Sequence, residues 1–184
     1  TMPVTRYSGI DQAFHFNGYG GGTMAALSDL PGNQTDNSAS FELWFRPDDL
    51  YDNDVLFETG SYGFLGTGTG TSFIMVDEDN DGVADDLQFV VKNGGTKRTL
   101  TADLSTILGR TTTLTNDFIQ VVGTYDRNIN GSSTDAVTLY VNGVEVDYDT
   151  ATGLNDWSDA GNIGLGRVNG SINVGNSNVT NFEG

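Results

Sequence analysis

The chain has 184 residues, enough to bury most of its surface around one core, and we predict a single domain over residues 1–184. Its 25 acidic and 8 basic side chains give a net charge of −17, which argues against nucleic acids and anionic membranes as partners because both would be repelled. The absence of cysteine excludes disulfides and thiolate chemistry, and no apolar run is long enough to span a membrane.

Short strands joined by polar turns are predicted along the whole chain, because runs of β-branched and aromatic residues alternate with segments rich in Gly, Asn and Asp. The predicted strands cover residues 12–16, 23–27, 39–46, 55–58, 73–76, 87–91, 97–101, 118–125, 136–141, 144–148, 163–168 and 172–174. One helical turn is predicted within residues 102–108. Since no helices are placed to connect parallel strands, we predict an all-β fold, an antiparallel two-sheet β-sandwich or jelly roll.

Two of these strands alternate strictly between apolar and polar residues, which predicts one buried side and one solvent-facing side. In the strand at 39–46 the buried side is predicted to carry Phe41, Leu43 and Phe45. The solvent-facing side is predicted to carry Glu42, Trp44 and Arg46. In the strand at 136–141 the buried side is predicted to carry Val137, Leu139 and Val141. The Asn142-Gly143 pair that follows favours a two-residue type I′ turn.

An acidic loop separates the fifth and sixth predicted strands. Asp77, Asp79 and Asp81 recur at every second residue, and Gly82 follows where an EF-hand-type calcium loop places a glycine for its sharp turn. So many carboxylates in one loop would repel one another strongly without a cation. The spacing therefore predicts a Ca²⁺ site, and the alternative is a solvated acidic turn.

The same spacing assigns the remaining ligands. Val83 stands where a backbone carbonyl is used, and Asp85 stands where a side chain often acts through water. Gln88 replaces the bidentate glutamate that closes an EF-hand, and Asp86 could supply that carboxylate. The loop also resembles the calcium loops of thrombospondin type 3 repeats, which share the D-x-D-x-D-G-x-x-D core. The predicted metal ligands are Asp77, Asp79, Asp81, Val83, Asp85 and Asp86.

Several longer segments carry a family resemblance. They are FIQVVGTYD at 118–126, VTLYVNGV at 137–144, AFHFNG at 13–18, SFELWFRP at 40–47, NIGLG at 162–166 and FEG at 182–184. Together they resemble laminin G-like domains of the concanavalin A-like lectin/glucanase superfamily, which also includes the pentraxins. The resemblance implies a concanavalin A-like jelly roll, a fold that hosts lectins, peptide binders, hydrolases and spacers. The chain departs from the family pattern at Phe118, where the family has tryptophan, and in lacking the closing strand.

One strand raises the question of catalysis. Glu145, Asp147 and Asp149 are predicted to share one face of it, and they resemble the E-x-D-x-E motif of laminarinase-type glycosidases. A retaining pair needs its carboxyl groups about 5–5.5 Å apart, and residues four apart on a flat strand are farther than that. In those enzymes, moreover, the acidic strand precedes the hairpin. We therefore predict a solvated outer face and no catalytic residues. His15, the single histidine, is predicted to be a core or edge residue.

Sugar recognition needs an aromatic ring for the apolar face of the sugar, with amides and carboxylates for its hydroxyls. Tyr62 lies in the loop predicted at 60–71, and Trp157 lies in a segment that has no strand pattern. The predicted ligand-binding residues are Tyr62, Asn155, Asp156, Trp157 and Asp159. The alternative for Trp157 is that it closes one end of the sandwich.

The sequence thus predicts a calcium-binding, non-catalytic, lectin-like adhesion module that binds glycans or cell-surface ligands. We expect it to be secreted or displayed on the cell surface, as one domain excised from a larger bacterial protein with neighbouring domains. Two alternatives stay open: a structural module that calcium rigidifies and that has no ligand of its own, and a glycoside hydrolase of the same fold.

Overall fold

The computed structural model describes residues 22–24, 38–47, 54–60, 70–93, 96–109, 114, 118–154, 163–166 and 180–182. The strands predicted at residues 12–16 and 172–174 lie outside the described residues, as does His15. Within the described part of the chain, every other predicted strand is present, with ends that differ from the predicted ones by a few residues.

The described elements are almost all strands. They are β1 Gly22–Met24, β2 Ala39–Phe45, β3 Asp54–Gly60, β4 Gly70–Val76, β5 Asp86–Asn93, β6 Thr96–Asp103, β7 Ile119–Asp126, β8 Thr134–Val141, β9 Val144–Thr152, β10 Ile163–Leu165 and β11 Thr180–Asn181. The described helices are α1, Leu104–Leu108, and a 3-10 turn, Ile129–Gly131. The predicted all-β class and the predicted helical turn are both confirmed.

The described strands form two sheets, which we call the large sheet and the small sheet. The large sheet has the order β1-β10-β3-β4-β5-β6, and β11 pairs in parallel with β3. The small sheet has the order β2-β7-β8-β9, and its pairings are antiparallel. The sequence did not predict β11, whose Thr180 lies opposite Asp54. Residues 180–181 therefore add to the large sheet.

One face of the small sheet is buried, and β2 exposes its other side as its alternation predicted, but on β8 the outward Thr138 is only 8% exposed. Phe45 is only 5% exposed, whereas its neighbour Trp44 is 59% exposed. In β8, Leu139 is fully buried, as predicted. Asn142 and Gly143 have φ values of 50° and 78°, which confirms the type I′ turn, because that turn needs positive φ at both central residues.

The inner faces of the two sheets meet in a core rich in aromatic residues. Phe73 of β4 and Phe89 of β5 stack with their ring centroids 4.8 Å apart and their planes at 29°. The Phe89 ring lies against the backbone of Gly123 in β7, where an added Cβ would come within 2.4 Å of the ring. The sheets can approach this closely only because residue 123 has no side chain.

The helix α1 follows β6 directly and has a clear signal at each end. The carboxylate of Asp103 accepts a hydrogen bond from the backbone N–H of Thr106 at 2.8 Å and so caps the first turn. Gly109 ends the helix in the left-handed conformation, with φ of 65°. Among the described residues, no helix has the length and apolar character needed to cross a membrane.

The close contact between the sheets can be tested by mutation. Gly123→Ala should lower the free energy of unfolding by about 1–3 kcal/mol, because the added methyl group overlaps the Phe89 ring. Chemical denaturation at fixed calcium concentration measures this loss. In a double-mutant cycle, Phe89→Leu should relieve part of it, so that the double variant loses less stability than the two single variants together. Strictly additive losses would show that the two residues do not press on one another.

Candidate metal centre

The acidic loop closes the hairpin formed by β4 and β5, as predicted. The last ladder pair before the loop joins Val76 to Asp86, so the loop covers residues 77–85. Both strands lie inside the large sheet, with β3 and β6 as their outer neighbours. The side chains of Phe73 and Leu87 are fully buried. The loop therefore projects from a rigid part of the fold, which is the placement a preformed binding site needs.

Three carboxylates converge within this loop. Each of Asp77, Asp79 and Asp81 offers an oxygen, and these three oxygens lie within 4.8 Å of one another. Asp77 is half-buried, and the other two side chains are exposed. Carboxylate oxygens are the ligands that Ca²⁺ prefers, so the group has the right chemistry for a hard divalent cation.

Backbone N–H groups hold the three carboxylates over the loop. Asp77 accepts hydrogen bonds from the N–H of Asp81 at 3.1 Å and from the N–H of Gly82 at 3.0 Å. The same Asp81 N–H also donates a hydrogen bond to Asp79 at 3.1 Å, and the backbone N–H of Val83 donates one to Asp81 at 2.8 Å. A carboxylate has about four acceptor positions, so each retains capacity for a cation.

Two residues with positive φ give the loop its shape. Gly82 has φ of 91° and Asn80 has φ of 60°. Glycine adopts such angles without steric cost, and asparagine tolerates them better than most residues. The sharp turn that the spacing predicted at Gly82 is thus present in the backbone.

The structure does not gather all six predicted ligands at one point. Asp85 and Asp86 lie outside the group of three, and the Val83 carbonyl accepts a hydrogen bond from the Asp85 N–H at 3.0 Å. Asp86 is 8% exposed, and it accepts a hydrogen bond from the N–H of Glu78 at 3.1 Å. These residues border an open depression of about 510 Å³ that also includes Asp103. Asp79 and Asp81 of the three-carboxylate group line the same depression.

Crowding of like charges affects the protonation of the loop. The N–H of Asp81 favours ionised Asp79, but desolvation and the charges of Asp81, Asp77 and Asp85 outweigh it and raise the pKa of Asp79. Burial raises the pKa of Asp86, although the N–H of Glu78 opposes this effect. Both carboxylates are thus less stable in the ionised form than ordinary aspartates. A bound cation would favour the ionised form.

The acidic strand β9 differs from its prediction. The register shifts between Leu139 and Tyr140, so that Leu139 lies opposite Asp147 and Tyr140 lies opposite Glu145. Directly opposed residues point to the same side of a sheet. Asp147 therefore shares the inner side with buried Leu139, while Glu145 points outward. The prediction that Glu145, Asp147 and Asp149 share one face was wrong, because a β-bulge inserts one residue and reverses the alternation.

The two inward carboxylates of β9 connect the sheets. Asp147 accepts a hydrogen bond from the backbone N–H of Thr101 in β6 at 2.9 Å. Asp149 forms an ion pair with Arg98 of β6 at 3.0 Å. These contacts join the β9 edge of the small sheet to the β6 edge of the large sheet. Glu145 therefore points outward as predicted, whereas Asp147 and Asp149 lie on the inner side of the strand, where Asp149 at the sheet edge is still 50% exposed.

The predicted ligand-binding residues cannot be placed in the fold, because all of them lie outside the described residues: Tyr62, Asn155, Asp156, Trp157 and Asp159. The structure instead reveals exposed aromatic rings that the sequence prediction did not assign to binding. Trp44, Phe118 and Tyr148 are each at least half exposed, at 59%, 52% and 50%. The signal for Trp44 was available, since it stands on the polar side of an alternating strand.

A family model described as the concanavalin A-like lectin/glucanases superfamily matches residues 19–182. This chain belongs to that superfamily. Its fold is similar to that of a Ruminococcus gnavus IT-sialidase CBM40 bound to α2,6 sialyllactose, with a TM-score of 0.62. The two sequences are 14% identical, and the match covers 93% of this chain and 84% of that chain. The same module bound to α2,3 sialyllactose gives a TM-score of 0.60 at the same identity and coverage. No curated protein matches the chain.

These comparisons confirm the resemblance to the concanavalin A-like superfamily, and with it the predicted jelly-roll class. At 14% identity the similarity to the solved structures concerns the fold. The resemblance of the acidic loop to thrombospondin type 3 repeats stays a prediction.

The connection between the two sheet edges can be tested at Asp147. Asp147→Ala should lower the free energy of unfolding by about 1–2 kcal/mol, because it leaves the Thr101 N–H without its charged acceptor. Glu145→Gln, on the outer side of the same strand, is the matched control and should change stability by less than about 0.5 kcal/mol. Urea denaturation of both variants gives the comparison. Equal effects would contradict the register of β9.

Proposed function

We propose that this protein is a non-catalytic, lectin-like module that binds glycans and carries Ca²⁺ in its β4–β5 loop. The observation that carries the glycan part is membership of the concanavalin A-like lectin/glucanases superfamily. It is supported by the similar fold of modules whose structures contain sialyllactose.

The geometry of β9 supports a non-catalytic role over the glycosidase alternative. A glycosidase needs two carboxyl groups that flank the same glycosidic bond. Here the bulge directs Glu145 outward, whereas Asp147 points inward and bonds to the backbone of Thr101. These two carboxylates are therefore poorly placed to act on one bond.

The fit of the acidic loop to Ca²⁺ supports the metal part of the proposal. Asp77, Asp79 and Asp81 would bind the ion through carboxylate oxygens that already converge within 4.8 Å. The carbonyl of Val83 and a carboxylate of Asp85 or Asp86 would complete the shell. The ion would neutralise the mutual repulsion of these groups and would rigidify the end of the hairpin.

An extracellular location follows from the same proposal. Without a bidentate glutamate at the closing position, the site resembles low-affinity extracellular calcium modules, with dissociation constants on the order of 10⁻⁴–10⁻³ M. Such a site would be filled only where calcium is abundant. We therefore propose a secreted or surface-displayed module, used in adhesion as part of a larger chain.

Calcium should stabilise the wild-type protein. At a tenfold excess over the dissociation constant the gain should be about 1.4 kcal/mol. Asp79→Asn should remove most of this gain, because it takes one charged ligand from the group of three. Glu145→Gln removes the same charge from a distant exposed site and should keep the full gain. Thermal melts in calcium and in chelator measure all three proteins.

A melting temperature that does not respond to chelator would identify the loop as an acidic turn without a metal. Stabilisation by calcium together with no glycan binding would instead favour the structural module, in which calcium rigidifies a domain that has no ligand.

The non-catalytic assignment is tested by incubation with β-glucans. We expect no new reducing ends after prolonged incubation with wild type in calcium. Hydrolysis that the single change Glu145→Gln abolishes would establish the enzyme alternative, because Glu145 is exposed on the outer side of β9.

A further inference from the structure

The outer face of the small sheet carries exposed aromatic rings on several strands. Trp44 stands on β2 and Tyr148 on β9, and both are at least half exposed. Tyr140 on β8 lies between them and is partly exposed. Phe118 comes just before β7 and is 52% exposed. Four aromatic rings therefore lie on or beside the outer face of the small sheet: Trp44, Phe118, Tyr140 and Tyr148. We call this surface the aromatic face.

The strand register places Trp44, Tyr140 and Tyr148 in three successive rows of the small sheet. Trp44 lies opposite Gln120, and in the next row Glu42, Val122 and Tyr140 lie side by side. Neighbouring strands are about 4.8 Å apart, so the three spacings from β2 to β9 extend over about 14 Å. The aromatic face is therefore wide enough for more than one sugar ring.

One carboxylate holds the largest ring in position. Oε1 of Glu42 accepts a hydrogen bond from the indole N–H of Trp44 at 3.2 Å and another from the side-chain amide of Gln120 at 2.5 Å. The indole N–H is thus satisfied, and its orientation is set before any ligand arrives. The Glu42 carboxylate keeps acceptor positions for further donors such as hydroxyl groups.

We propose that the aromatic face binds a neutral, hydroxyl-rich glycan. The inference rests on the proposed glycan-binding function and names the surface and the class of sugar. Trp44 and Tyr148 supply flat apolar rings for the C–H faces of sugar rings. Glu42 accepts hydrogen bonds from sugar hydroxyls, and the Gln120 amide can both donate and accept.

The charges on this face favour a neutral sugar over a sialylated one. Glu42 and Glu145 stand at the two ends of one row and would repel a carboxylate-bearing sugar. The net charge of −17 acts in the same direction. Arg46 lies near this face, but its guanidinium group is already placed over the Phe118 ring, 5.8 Å from the centroid.

Other occupants fit the aromatic face less well. The core of a protein–protein interface is depleted of charged residues, whereas here Glu42 lies beside Trp44 and Glu145 lies opposite Tyr140. Nucleic acid would be repelled by the acidic chain. Isolated rings separated by polar side chains match the alternating C–H and hydroxyl surface of a sugar.

Binding of the full chain in calcium is first measured on an array of neutral and sialylated glycans. The affinity for the neutral oligosaccharide that binds best is then measured by titration calorimetry. Trp44→Ala should weaken binding at least about tenfold, and Trp44→Phe, which keeps a ring, should recover most of it. Ile107→Ala, which removes an exposed apolar group from α1, is the control and should bind as wild type does. Lactose should bind at least as tightly as sialyllactose, which adds a negative charge to the same sugar core.

The outcomes distinguish a failure of the aromatic face from a failure of the proposed glycan-binding function. No glycan binding by wild type would overturn both. Binding that is equal in Trp44→Ala and Ile107→Ala would leave the proposed function in place and overturn the aromatic face. Tighter binding of sialyllactose than of lactose would overturn the neutral class. Dimerisation that Trp44→Ala abolishes, without glycan binding, would identify a second copy of the chain as the occupant. Since Trp44 is exposed, a melting temperature close to that of wild type checks the fold of each variant.

Discussion

The contact between the Phe89 ring and the bare backbone of Gly123 determines how the two sheets meet. Phe89 also stacks on Phe73, so that β4 and β5 are held together at the centre of the core. Because the acidic loop joins the ends of these two strands, its carboxylates project from a hairpin that is anchored in the core. The packing of the core and the geometry of the proposed metal site are therefore linked through one hairpin.

The chain carries far more negative than positive charge, and the fold places its carboxylates in three different ways. In the loop, backbone N–H groups hold Asp77, Asp79 and Asp81 close together despite their repulsion. At the sheet edge, Asp147 is used as an acceptor that connects β9 to β6. On the outer face of the small sheet, Glu42 orients an indole ring. Each use depends on a specific donor, which is why the acidic residues are not interchangeable.

The proposed metal site and the aromatic face lie on different sheets. The loop extends from the large sheet, while Trp44 and Tyr148 stand on the small sheet. In the proposed function, the loop would contribute stability and the aromatic face would contribute recognition. The side chains of the aromatic face could therefore change without altering the loop, since their strands are fixed by the core beneath them.

Local patterns in the sequence were sufficient for β1 to β10, for the two faces of β2, for the Asn142-Gly143 turn and for the convergence of three aspartates in one loop. Each of these features depends on residues a few positions apart, and a period of two or a pair of positive φ angles determines it directly. The tertiary structure alone decided the bulge that separates Glu145 from Asp147, the parallel pairing of β11 with β3, and the orientation of Asp86 toward Glu78. It also brought Trp44 and Tyr148, about a hundred residues apart in sequence, onto one face. These features depend on which strands become neighbours and in what register, and pairing between distant strands leaves no periodic trace in either one.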